Sequence, residues 1–84
     1  MTGEGIRQAI VEIIQDILPD EDLGDIDPGK PLRDQVDLDS MDFLDIVMEL
    51  RKRYSVEVPE QDYGQLVTMN STVDYLLPKM SGIQ

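Results

Sequence analysis

The sequence predicts an all-α fold: a four-helix bundle of three main helices plus one short helix, with a long loop between helices 1 and 2. Apolar residues recur at helical spacing in three separate stretches. Gly24, Pro28, Gly29 and Pro31 break the chain between the first two of them. The strand-like alternation Val56-Glu57-Val58 is only three residues long and has no counterpart to pair with.

The first helix is expected over residues 5–18. Ile6, Ala9, Ile10, Ile13, Ile14, Ile17 and Leu18 follow the i, i+3, i+4, i+7, i+8 pattern of one buried face. Thr2 can cap its start, and Pro19 stops it by pushing the preceding residue out of helical geometry. Residues 19–38 then read as a loop carrying Asp20, Glu21, Asp22, Asp25 and Asp27. A loop of that length is rare in a compact domain and needs anchors, which Leu23, Ile26, Leu32 and Val36 are spaced to supply.

The second helix begins at Leu38-Asp39-Ser40-Met41-Asp42. Asp39 suits the N-cap, and Asp42, three residues on, can reach back to the cap's own N–H. The helix is expected to run to about Tyr54, with Phe43, Val47, Leu50 and Tyr54 on an inward stripe. Leu44 and Ile46 flank that stripe, and Met41, Asp45 and Met48 lie away from its centre. Pro59, followed by Glu60, Gln61 and Asp62, suits the first turn of a short helix. Thr68 or Asn70 can cap a last helix that turns Met69, Val73, Leu76 and Leu77 inward and ends at Pro78. One shared core is expected from Ile10, Ile14, Phe43, Val47, Leu50, Met69 and Val73.

Eighty-four residues suit one domain across 1–84 and leave no room for a second core. The absence of cysteine excludes a disulfide framework or a thiolate metal site, and the absence of histidine removes the commonest proton-transfer group. No apolar run approaches the 18 or so residues that span a bilayer, and Met1-Thr2-Gly3-Glu4 lacks the basic and apolar regions of a secretory signal. The expectation is a soluble, monomeric, cytoplasmic protein. Its net charge is −11, and residues 1–50, with fourteen acids and three bases, already carry all of it. Such a surface repels nucleic acid and anionic lipid and attracts basic partners. Solubility alone would account for an acidic protein; the concentration in one half points to an interaction face.

Two chemistries fail on spacing. A calcium loop needs oxygen ligands at positions 1, 3 and 5, glycine at 6 and glutamate at 12. Counting from Asp20 puts Gly24 at position 5 and Pro31 at 12, and counting from Asp25 puts Gly29 at 5 and Val36 at 12. No dedicated metal site is expected, only weak condensation of divalent ions on the carboxylates. A serine nucleophile needs a base within reach, and without histidine no triad-like set is visible. Asp39 and Asp42 can in principle do acid–base work, but at an open helix end they serve better as caps. No catalytic residue is expected.

Ser40 remains. A serine beside an N-cap is ordinarily just a helix-start residue. A helix N-terminus, however, offers free N–H groups and a positive dipole end, so a phosphodiester on a hydroxyl there is well placed.

The stretch Leu38-Asp39-Ser40-Met41-Asp42 resembles the phosphopantetheine attachment motif of acyl carrier proteins, whose core is Asp-Ser followed by Leu or Met. The isoleucine-rich first helix, the acidic loop, the helix from Met41 to Leu50, Val58-Pro59-Glu60 and Val73-Asp74-Tyr75-Leu76 follow the family's order and spacing. The resemblance implies a carrier, not an enzyme, for fatty-acid, polyketide or related biosynthesis. It implies that Ser40 takes a covalent 4′-phosphopantetheine from coenzyme A through a phosphopantetheinyl transferase, which Asp39 helps to position through the transferase's metal. The arm's thiol then carries an acyl group as a thioester. Asp39, Met41, Asp42, Asp45 and Met48 are the implied partner-binding residues, meeting acyl-loading, elongating or transferring enzymes that have basic docking patches.

Two departures from the family pattern stand out. Phe43 occupies a position at the edge of the acyl pocket where many relatives have a smaller residue, and Arg51-Lys52-Arg53 replaces the usual acids. Met41 and that basic helix end keep open an aminoacyl or peptidyl carrier for a ligase or peptide synthetase. From another class, an acidic interaction protein without a prosthetic group would share the composition.

Overall fold

The computed structural model describes residues 2–24, 26–80 and 82. Asp25, counted above among the acids of the loop, lies outside the described residues. Helix α1 spans Gly3–Ile17, and Thr2 caps it: its hydroxyl accepts a hydrogen bond from the Gly5 amide at 3.1 Å. The expected periodicity is realised at Ile6, Ala9, Ile10, Ile13 and Ile14, which are buried, while Ile17 and Leu18 at the helix end are half-buried against the core. Helix α3 spans Ser40–Tyr54, and α4 spans Met69–Met80. Between them Glu60–Leu66 forms a 3-10 helix that opens after Pro59. Among the described residues there is no strand, only an isolated bridge between Pro31 and Thr68.

The loop after α1 holds one element absent from the sequence expectation, a single helical turn, α2, over Leu32–Gln35. Its anchors are one distant bond and several within the loop. The Leu32 amide donates to the Val67 carbonyl at 2.8 Å, and the Gln35 side-chain amide donates to the carbonyls of Asp27 and Lys30 at 2.9 and 3.0 Å. Leu23, Ile26, Leu32 and Val36 are all buried, so the apolar pins along the loop work as their spacing implied.

Two inward faces differ from expectation. On α3 the buried residues are Ile46 and Leu50, while Phe43, Val47 and Tyr54 are half-buried against the core. The helix is turned so that Ile46 and Leu50 lie deepest in the core, while Phe43 packs at its margin; all three also line a cavity. On α4 the buried positions are Met69, Thr72, Leu76 and Met80; Val73 packs at the margin and Leu77 is exposed. Pro78 does not end α4 but lies inside its last turn. Proline there removes one helical donor, and the complete burial of Met80 two residues later offsets that loss by burying a large apolar side chain.

The three long helices close one core, with α1 packed against both α3 and α4. Of the shared core expected from sequence, Ile10, Ile14, Leu50 and Met69 are fully interior.

Candidate functional site

The start of α3 is fixed by a reciprocal pair of side-chain bonds. The Asp39 carboxylate accepts from the Asp42 amide at 2.8 Å, and the Asp42 carboxylate accepts from the Asp39 amide at 3.3 Å. Both carboxylates are therefore engaged as caps, and the backbone between them is held in one conformation. Ser40 is the first residue of α3 and is exposed. Its hydroxyl has no hydrogen-bond partner among the described residues, beside first-turn amides that carry the positive end of the helix dipole.

Ser40 also lies on the rim of a cavity of about 440 Å³. The walls come from α1 (Ile10), α2 (Leu32), α3 (Phe43, Leu44, Ile46 and Leu50), the end of the 3-10 helix (Leu66) and Val67 just after it. The lining is almost wholly apolar; Arg33 is its one charged residue among those described. Phe43 meets Tyr63 edge-on with ring centroids 5.3 Å apart, and the Arg33 guanidinium stands 5.8 Å over the Phe43 ring. A space of this size and polarity accommodates a hydrocarbon chain or a comparable apolar group.

On the opposite side of α3, Met41, Asp45 and Met48 face solvent, with Met41 74% and Met48 59% exposed. Their i, i+4, i+7 spacing makes one stripe. Leu44, expected beside the inward stripe, is 45% exposed and joins the Met41–Met48 face as well as the cavity rim. The structure thus leaves Asp39, Ser40, Met41, Asp45 and Met48 exposed, Ser40 at the cavity rim and the Met41–Asp45–Met48 stripe away from it, with Asp42 half-buried. It also adds residues that sequence reasoning had not assigned to the site: Arg33, Leu38, Tyr63, Leu66, Val67 and Thr72 line the cavity. They come from five parts of the chain, and no local motif marks them. Among the described residues no three carboxylates converge as a metal site.

The site fits a phosphorylated, thiol-bearing arm. A hydroxyl on an open helix N-terminus accepts a phosphodiester without displacing a protein contact, and an apolar cavity within the same rim receives what such an arm carries.

Comparison with known proteins agrees. A family described as "Phosphopantetheine attachment site" matches residues 8–76. The chain is 28% identical over 74 residues to an acyl carrier protein of Rubrobacter xylanophilus, covering 84% of this chain and 91% of that protein. It is 30% identical over 74 residues to an acyl carrier protein of Tropheryma whipplei, covering 84% and 90%. It is 32% identical over 76 residues to the meromycolate extension acyl carrier protein of Mycobacterium leprae, covering 90% of this chain and 65% of that longer protein.

Proposed function

The chain belongs to the phosphopantetheine-attachment family of acyl carrier proteins, and from that premise we propose that Ser40 is the residue that bears the arm. The protein is a carrier for fatty-acid or related biosynthesis, and its prosthetic group is a covalent phosphopantetheine. The observation that supports Ser40 is its position: an exposed, unengaged hydroxyl at the first residue of α3, on the rim of the 440 Å³ cavity.

When bound, the arm supplies a thiol that holds acyl groups as thioesters. The chain's own residues do the rest. Asp39 and Asp42 fix the backbone so that Ser40 meets a phosphopantetheinyl transferase in one geometry. Leu32, Leu38, Ile46, Leu50 and Leu66 wall off an apolar space that excludes water from the cargo. That lining favours a hydrocarbon over an aminoacyl group, whose ammonium would lose its hydration there. Met41, Asp45 and Met48 form the face that meets loading, elongating or transferring enzymes, with adaptable thioethers beside an acid that suits a basic rim. The carrier performs no reaction of its own, and residues 1–84 act as a single carrier domain, monomeric and cytoplasmic. No described helix is long and apolar enough to cross a membrane.

Incubation with coenzyme A and a broad-specificity transferase tests the assignment by intact mass. The wild type gains one phosphopantetheine and Ser40→Ala gains none. Because Asp39 still caps α3, Ser40→Ala keeps its helical spectrum and stays within about 1 kcal/mol of wild-type stability. Equal incorporation in the two proteins would remove Ser40 from the role.

A further inference from the structure

We infer that Arg33 is a positioning residue for the prosthetic arm: its guanidinium is placed to take the phosphodiester on Ser40 and hold the arm across the mouth of the cavity. This rests on the assignment of Ser40 above.

Three features of the structure support the inference. The first is placement. Ser40 and Phe43 are three residues apart on α3 and so share a face, about one turn apart. The Arg33 guanidinium stands 5.8 Å over the Phe43 ring, and all three residues line the same cavity. The second is availability. Arg53 is bound to Asp16 and close to Glu49, whereas Arg33 has no carboxylate partner among the described residues. The Phe43 contact uses none of the guanidinium's N–H donors in a hydrogen bond, and none of them has a hydrogen-bond partner among the described residues, so they can receive phosphate oxygens. The third is need. The charged neighbours of Ser40 along the chain, Asp37, Asp39 and Asp42, are all acids. A phosphodiester there adds a further negative charge, and Arg33 is the one cation in the cavity lining.

The guanidinium is also carried on a fixed base. Leu32, its neighbour, is buried and its amide is bonded to Val67, while Gln35 ties α2 to Asp27 and Lys30. An arginine on a pinned turn loses less freedom on binding than one on a free loop.

The test uses the full chain in apo and holo forms, with conversion checked by mass. A holo form that never appears would count against Ser40 itself, separately from Arg33. In the wild type, the Arg33 Nε–Hε resonance should shift on apo-to-holo conversion, and the ³¹P resonance should move between wild type and Arg33→Gln. With Arg33→Gln the amides of the isotope-labelled arm should lose order, with Arg33→Lys recovering part of it, and Arg7→Gln on α1 should change neither signal. Circular dichroism of each variant separates these effects from unfolding. A confirmed holo protein with an unmoved Arg33 resonance would overturn the inference. So would an Arg33 shift seen only when the cargo ends in a carboxylate, since the anion recognised would then be on the cargo.

Discussion

Single side chains divide at this site between those that hold the fold and those that face outward, and α3 separates the two by one position. Leu50 is fully buried, Val47 beside it is half-buried, and Met48 is on the solvent face. Leu50→Ala should therefore cost about 2–5 kcal/mol, through lost burial and the cavity left behind. Val47→Ala should cost clearly less, and Met48→Ala should be close to neutral for stability. Denaturant midpoints of the three variants give the order directly, and a costly Met48→Ala with a mild Leu50→Ala would mean that α3 is turned the other way. The sequence alone places Val47 on the inward stripe with Phe43, Leu50 and Tyr54. The inward side is turned by a fraction of a turn toward Ile46 and Leu50, and Phe43, the largest apolar residue of α3, sits at its margin, half-buried and edge-on to Tyr63. Apolar periodicity marks the apolar side of a helix but not which of its residues lies deepest.

At the scale of elements, the parts written in local signals were legible, and those held by distant contacts were not. The caps at Thr2 and Asp39 are three-residue relations, and both occur as the residue types imply. Thr68 caps α4 in the same way, its hydroxyl accepting from the Ser71 amide at 3.0 Å. Helix α2 has no such signal: its Leu32 amide is held by the distant Val67 carbonyl, and its own Gln35 reaches back across the loop to Asp27. The end of α4 was misread because a proline rule is local while the burial of Met80 is not. The close of α3 has its own signature: Ser55 adopts φ 57°, a left-handed conformation that favours glycine. Ser55→Gly should stabilise the protein by up to about 1 kcal/mol, read as a higher denaturant midpoint; a lower one would mean that the serine side chain contributes to the cap. A second tie joins the 3-10 helix to α4. The Tyr75 hydroxyl donates to the Asp62 carboxylate at 2.7 Å, and the Lys79 ammonium lies 5.1 Å from the Tyr75 ring. Burial first, then the bond to Asp62, push the Tyr75 hydroxyl up to about 12. The fold thus favours the protonated phenol, so its contribution is complete below about pH 10 and is lost as pH rises toward 12. Tyr75→Phe should flatten the fall of stability with pH across that window, and an unchanged slope would show that the pair contributes nothing.

For the whole molecule the decisive quantity is the distribution of charge. The net −11 lies entirely within residues 1–50, and the four bases and four acids of residues 51–84 cancel. Three of those bases, Arg51, Lys52 and Arg53, sit in the last turn of α3, where cations oppose the helix dipole. The structure separates their roles. Arg53 bonds Asp16 of α1 and lies 3.6 Å from Glu49, so it ties two helices together. Arg51 makes only a long contact with Glu57 at 3.9 Å, both side chains being largely exposed, and Lys52 faces solvent with no ion-pair partner among the described residues. The outward positive charge is thus that of Arg51 and Lys52, about 17 Å along α3 from Ser40 at 1.5 Å per residue. A loading enzyme that docks on acidic carriers presents a basic patch, which these two side chains oppose. Rim charges act chiefly on the rate of encounter, so the effect should be slow loading that salt relieves, with the chemical step untouched. Arg51→Glu with Lys52→Glu, leaving Arg53 in place, should raise the loading rate by a fatty-acid synthase enzyme at low salt and lose that advantage at high salt. If the two charges served only the helix dipole, the double variant would lose a little stability and load no faster. Rates at two ionic strengths therefore decide whether this helix end selects among partners or merely closes α3.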